Sequence, residues 1–283
     1  MVIAGTIGIV GAGRVGQALG SLLSRNHNLK ITSRNDAASA AAFIGTRAQA
    51  VSISELAAHC THIIVAVPDS AISDVGADLV GSRAQVVLHT CGSLGPAALA
   101  PLTRSGVSCA TFHPLQTFAS REQGVQCLAG SAFGICGSGA AYEWAKELCG
   151  ELDGTPITIP EEQLPLYHAA AVIAGNYTLG LVDVAVKLME RAGVEHDLAL
   201  SAIAPLVRTS AENALTMGPE AALTGPIERG DIPTIERHLE ALRTGPSGAD
   251  AVYVAVGRQL VAIARRRGLP FEKAAALEEL LFP

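Results

Sequence analysis

From residue 6 to about 160 the chain alternates short apolar, β-branched runs with alanine-rich stretches of helical period. That alternation marks repeated strand-helix-strand units around a parallel sheet covered on both faces. It predicts strands at Thr6–Val10, Leu29–Ser33, Gln49–Val51, Ile63–Val67, Gln85–His89, Val107–Thr111, Ala132–Ile135 and Thr155–Ile159. After Pro160 the β-type runs stop and helical periodicity takes over, at about 161–192, 196–217, 219–224, 231–243 and 248–267. Turns are expected at Gly193, Gly218-Pro219, Gly225-Pro226 and Gly245-Pro246. The expected architecture is α/β: a doubly wound, mostly parallel sheet over residues 1–159, then an all-α domain over 160–283.

The first expected strand runs into Gly11-x-Gly13-x-x-Gly16, which opens a helix through Leu23. Strand before, helix after and a second strand ending at Ser33 are the context of a dinucleotide-binding Rossmann fingerprint. In it the glycines allow the tight turn, the approach of a pyrophosphate and close helix packing, while the helix start at Arg14, Val15 and Gly16 offers backbone N–H groups. The second strand ends in Thr32-Ser33-Arg34-Asn35, without the acid that binds a ribose 2′-hydroxyl. Ser33 and Arg34 suit a 2′-phosphate instead, which points to NADP(H); the alternative is a solvated surface arginine. Loops at carboxyl ends of such strands line the ligand crevice, so Val67 and Pro68 are expected against the cofactor, and Thr90 and Cys91 near its nicotinamide.

Composition narrows the picture. The formal net charge is −6 and the longest basic run is Arg265-Arg266-Arg267, so a nucleic-acid partner is not expected. The six cysteines form no C-x-x-C pair and no zinc-type spacing, so neither disulfides nor a metal is expected. The apolar N-terminus lacks a basic leader and runs straight into the glycine motif, which suggests a cytoplasmic protein. Leu164 to Met189 is long and apolar enough to raise the question of a membrane span, but His168, Asn176, Asp183 and Lys187 interrupt it. A buried helix of a soluble domain is the expectation, with a homodimer as the default assembly.

Hydride transfer at a carbon bearing oxygen or nitrogen needs a proton donor or acceptor beside it, and histidine suits that role near neutral pH. His113, at the end of the sixth expected strand, is the first candidate; otherwise it is a histidine holding its loop. Gln116 and Thr117 would follow as substrate contacts. On a single helix from 161, His168, Asn176, Asp183, Lys187 and Glu190 would share an arc of about 100°. That stripe faces either a cleft or water. Arg229 could anchor a substrate carboxylate, and Asp231 could cap the next helix.

Gly11-Ala12-Gly13-Arg14-Val15-Gly16, Ala66-Val67-Pro68-Asp69 and the helical second half resemble the superfamily of 6-phosphogluconate, β-hydroxyacid, ketopantoate and pyrroline-carboxylate reductases and dehydrogenases. More closely, Thr111–Phe118, Tyr167-His168-Ala169-Ala170 with Asn176, and Leu223–Asp231 resemble a bacterial family described as a Rossmann-like protein with a C-terminal domain of unknown function. The superfamily resemblance implies that His168 stands where related reductases present a lysine to substrate, with Asn176 below it. Gly92-Ser93-Leu94-Gly95 with His113-Pro114 is similar to the G-S-x-K and H-P motifs of prephenate and arogenate dehydrogenases, which implies a catalytic Ser93; the motif's lysine is Gly95 here. The combined expectation is an NADP(H)-dependent oxidoreductase acting on a small, carboxylated substrate. The alternatives are a prephenate-like or arogenate-like dehydrogenase and a dinucleotide-binding sensor or scaffold without turnover.

Overall fold

The structure, a computed structural model, describes residues 6–281 and divides into two compact units, Met1–Gly175 and Asn176–Pro283. Among its described residues the first unit holds eight strands: β1 (Ile7–Val10), β2 (Leu29–Thr32), β3 (Ala48–Ala50), β4 (His62–Val65), β5 (Val86–His89), β6 (Ser108–Pro114), β7 (Ala132–Gly137) and β8 (Thr155–Thr158). They form one sheet in the order β3-β2-β1-β4-β5-β6-β7-β8, parallel throughout except for the antiparallel pair β6/β7. All eight expected strands are present, within a few residues of their expected ends.

Alternation along the strands divides the core between the two faces of the sheet. Ile7, Ile9, Ile64, Phe112 and Phe133 pack on one side with Leu19 and Trp144 from the helices Arg14–Leu23 and Gly139–Glu151. Val10, Ile63, Val65 and Val87 pack on the other with Leu56 and Leu102. Phe112 and Phe133, both fully buried, stack across β6/β7 with centroids 4.6 Å apart. The register aligns the carboxyl ends: Val10 lies opposite Thr32 and Val65, and Val65 opposite His89. Strand order reverses between β1 and β4, where such sheets open a ligand crevice.

The second unit is all helical: Asn176–Arg191, His196–Met217, Pro219–Ala222, Pro226–Arg229, Ile232–Leu242, Ala249–Arg266 and Phe271–Leu281. Its main core gathers Ile227, Ile235, Val261, Leu277 and Leu281. Sequence periodicity missed the last helix, which buries Ala274, Leu277 and Leu281. Asp231 caps Ile232–Leu242 by accepting from the Thr234 N–H at 3.3 Å and its hydroxyl at 2.9 Å.

Two expectations are corrected here. The helical stretch expected over 161–192 is present but interrupted at Gly175, between Leu164–Ala174 and Asn176–Arg191, and the two compact units part at that glycine. Glycine is a weak helix former and brings no side-chain contact to bridge the two segments. The stretch is also not buried. It is long and apolar enough to cross a membrane by composition, yet only 6% of its most apolar window is covered within the chain. Leu166 and Ile173 are exposed on the first helix, Tyr177 and Leu179 on the second. Apolar composition calls for cover, but it does not say whether the same chain supplies it. Of the expected polar stripe, Lys187 pairs with Asp183 at 2.7 Å and Glu190 with His196 at 2.8 Å, both at the surface.

Candidate active site

The loop between β1 and the helix Arg14–Leu23 is shaped by three glycines with three different duties. Gly11 has φ +117°, and a Cβ there would overlap the Ala66 carbonyl oxygen. A Cβ at Gly16 would overlap the Gly11 carbonyl oxygen, so loop and helix meet backbone to backbone. At Gly13 nothing lies within 4 Å of the added carbon. The second glycine thus faces open space at the start of a ten-residue helix, where N–H groups lack intrahelical partners. Gln17, one turn in, gives its Nε2 to the Ala12 carbonyl at 2.7 Å, while its Oε1 is buried without a partner.

That loop forms one end of a cavity of about 750 Å³, continuing past Val67 and Pro68 to Ser33, Arg34 and Ser52. Three carboxylates, Asp36, Asp74 and Asp78, line it as well. Asp36 is committed locally: its Oδ1 accepts from Ser39 N at 2.9 Å and caps the helix Ala37–Ile44. Arg34 is exposed, and no described residue bonds its guanidinium. Volume, glycine loop and strand-end position together fit a dinucleotide.

A second group of residues lies at the far end of β5 and β6. A Cβ at Gly92 would fall 2.8 Å from Cε1 and Nε2 of His113 and 2.8 Å from Cδ2 of His168. Both imidazoles therefore abut the loop that follows β5, with their centroids 5.8 Å apart and the rings nearly perpendicular. Nδ1 of His113 is 2.9 Å from the Tyr167 hydroxyl. Burial, the neighbouring His168 and His89 push the His113 pKa down to about 4 against the opposing pull of Asp69, so the ring is neutral near pH 7. Burial pushes Tyr167 up to about 12, so it keeps its proton.

The loop itself is held from below. His89 is fully buried, and its Nε2 lies 3.0 Å from the Gly95 carbonyl and 3.3 Å from Thr111 Oγ1, which donates to Leu94 O at 2.8 Å. Burial lowers the His89 pKa and keeps the ring neutral, and because the Gly95 carbonyl can only accept, the ring's proton is on Nε2. Cys91 Sγ is 3.3 Å from Ser93 Oγ, and burial raises that thiol's pKa.

Residues 4–114 match the family described as a Rossmann-like domain, and residues 131–260 match a domain of unknown function, DUF2520. The chain joins a Rossmann-like domain to a DUF2520 domain. No curated protein matches it. Among solved structures, protein TM1727 from Thermotoga maritima is 25% identical over 92% of this chain and 99% of that one, with a TM-score of 0.73. Two others share the fold at lower identity. Pyrroline carboxylate reductase of Plasmodium falciparum, solved with NADP bound, is 16% identical over 98% of this chain and 99% of that one, at a TM-score of 0.63. The imine reductase of Myxococcus stipitatus, in complex with NADP+, is 19% identical over the same shares, also at 0.63.

The Rossmann-like match ends at the residue after His113, and the DUF2520 match contains Tyr167 and His168. Of the residues expected at a site, the glycine loop, Ser33, Arg34, Val67 and Pro68 share one cavity, and His113 and His168 meet at Gly92. Both histidines belong to the first compact unit, not to opposite sides of a domain boundary. Asn176 and Arg229 lie in the second unit. Arg14 turns its Nη1 to the Phe118 carbonyl at 3.1 Å, fastening the loop after β6. Gln116 is also spent inside that loop: Nε2 reaches Cys127 O at 3.2 Å, and Oε1 accepts from Thr117 N at 2.8 Å. Thr117 is exposed. Gln17 was not singled out in the sequence, and Tyr167 and Asp69 stood in the resembling motifs without a role, because their importance lies in what the fold sets beside them. The one available signal was the adjacency of Tyr167 to His168.

Gly13→Val is expected to abolish dinucleotide binding in a folded protein, whereas Gly16→Val should destabilise the fold, because only the second collides with backbone. Calorimetric titration with denaturant unfolding checks both; retained affinity in folded Gly13→Val would place the ligand elsewhere. His113 supplies a pH test. Its folded pKa, about 4, lies below the ordinary 6.5, so the unfolded chain binds more protons between those values. The stability advantage of the parent over His113→Gln should be full above about pH 6.5 and shrink as pH falls toward 4. A pH-independent difference would contradict a neutral, desolvated ring.

Proposed function

We propose that the protein is an NADP(H)-dependent oxidoreductase acting on a small substrate at a carbon that bears oxygen or nitrogen. The observation that carries this reading is the convergence of the His113 and His168 imidazoles on Gly92, in a loop at the carboxyl end of the sheet that also forms the dinucleotide-shaped cavity. Relatives in fold solved with NADP bound support it. The residues present fit the cofactor: open space at Gly13 for the pyrophosphate, and Ser33 with Arg34 for a 2′-phosphate. Bound there, NADP(H) would supply or accept the hydride.

The protein's part is then to bind the acceptor atom and to move one proton. Sequence reasoning gave the proton transfer to His113 and orientation to His168; the lowered His113 pKa supports the reverse. A ring whose pKa is near 4 is seldom protonated near pH 7, so His113 serves better as a neutral hydrogen-bond donor that polarises the substrate. His168 beside it takes the proton transfer, with Ser93 a further polar contact. The prephenate-like reading has less support. Gly95 replaces that motif's lysine, and the space a side chain would fill there holds the Glu161 carboxylate. The adjoining cavity of about 370 Å³ is lined by Asp69 and Glu161 and by no lysine or arginine. A substrate carboxylate would be disfavoured in it.

We also propose a homodimer. Leu179, Leu206 and Leu215 are 70%, 67% and 85% exposed on the two long helices of the second unit, and a second copy offers the same faces in return. Light scattering is expected to give twice the chain mass, and Leu215→Glu to shift it toward one; a monomeric parent would overturn this.

NADP(H) should bind about ten- to a hundredfold more tightly than NAD(H), the worth of one charge-assisted hydrogen bond of roughly 1.5–3 kcal/mol, and Arg34→Asp should reverse the order. Equal affinities in the parent would remove the 2′-phosphate assignment. With a substrate in hand, His113→Ala and His168→Ala should each lose about 10²–10⁴ in turnover at nearly unchanged cofactor affinity.

A further inference from the structure

Resting on that reading, we infer that Tyr167 is the positioning residue of His113: its hydroxyl, donating to Nδ1, holds the ring as the tautomer whose proton sits on Nε2, the edge turned toward Gly92. His113 stands opposite Gly134 in the antiparallel β6/β7 pair, and Gly134 has no side chain. A Cβ there would come within 2.5 Å of the Tyr167 oxygen, so this glycine is what lets the phenol reach the imidazole. The two rings are perpendicular, with centroids 5.6 Å apart. Tyr167 and His168 are successive residues of Leu164–Ala174, and this one helix therefore flanks His113 from two directions.

The direction of the hydrogen bond follows from counting protons. Tyr167 stays protonated, and among the described residues the hydrogen-bond partner of its hydroxyl is His113 Nδ1, the one acceptor its proton can reach. The phenolic proton therefore goes to Nδ1. A neutral imidazole has one N–H, and with Nδ1 accepting, that N–H is at Nε2. No described residue accepts from Nε2. The ring thus presents a donor to the loop after β5, suited to an atom with a lone pair such as a carbonyl oxygen or a neutral imine nitrogen. The opposite tautomer would present a lone pair to that same atom and repel it. Besides Tyr167, the charged and titratable groups around the ring are Asp69, His89 and His168, and none of these three bonds Nδ1.

The test is ¹⁵N NMR of the full chain labelled at histidine, without ligand, the His113 signals being assigned by their loss in His113→Gln. The parent should show a single neutral tautomer with the proton on Nε2. In Tyr167→Phe, which keeps the ring but not the hydroxyl, the two tautomers should mix and the His113 midpoint should rise by roughly half to one pH unit, since a hydrogen bond to the neutral form has been removed. NADP(H) affinity should be unchanged. An Nδ1–H tautomer in the parent overturns the inference, and this needs no variant to fold. An unchanged tautomer and midpoint in Tyr167→Phe overturn it equally. Either result with NADP(H) still bound leaves the oxidoreductase reading standing, whereas loss of NADP(H) binding in a parent with the expected tautomer strikes that reading instead.

Discussion

Where β1 leaves the sheet, backbone meets backbone, and everything at the carboxyl edge is arranged around that contact. Gly11 donates its N–H to Thr32 O at 2.8 Å, and Ala66 donates to Val10 O at 2.8 Å, so the chain is tied to β2 and β4 as it turns. The Gly11 carbonyl presses on Gly16 of the helix, and the Ala66 carbonyl presses on Gly11. A methyl group at either glycine would force strand and helix apart. With both held, the helix start is fixed above the crevice between β1 and β4, and the space at Gly13 is left open.

The group of residues around Gly92 is built on different physics. There, the buried His89 and the half-buried His113 act as neutral hydrogen-bonding groups. His89 is enclosed and braces the loop after β5 from beneath, and His113 is desolvated against that loop's upper side. In this setting a neutral imidazole offers one donor and one acceptor in a fixed order, and its neighbours decide the order. Low polarity makes each such choice more consequential than in water, because an unmatched lone pair or N–H costs more there. The antiparallel return of β7 is what brings Gly134, and through it Tyr167, to His113.

The long apolar helices pose a separate demand. Their exposed leucines are not explained by packing inside either compact unit taken by itself. The proposed second copy of the chain would bring an equal surface to cover them. The polar members of those helices do little to offset the exposure. Asp183 with Lys187, and Glu190 with His196, are surface pairs of the kind that contribute little to stability.

Strands of a parallel sheet are buried on both faces, so runs such as Ile63-Ile64-Val65 announce themselves, and all eight strands could be read from the sequence. The glycine fingerprint was legible for a related reason: each glycine answers a local backbone requirement that sequence spacing records. The cap at Asp231 was equally local. The helix Phe271–Leu281 had a readable pattern after Pro270 and was overlooked. Tertiary structure alone decided that His113 and His168 meet at Gly92, that Gln116 is spent inside its own loop, that Tyr167 faces His113, and that the units part at Gly175. These depend on which side chains the fold sets next to one another across many residues, and on how much solvent it leaves around them. No spacing along one chain encodes that, because proximity and desolvation come into being only when the sheet and its helices have closed.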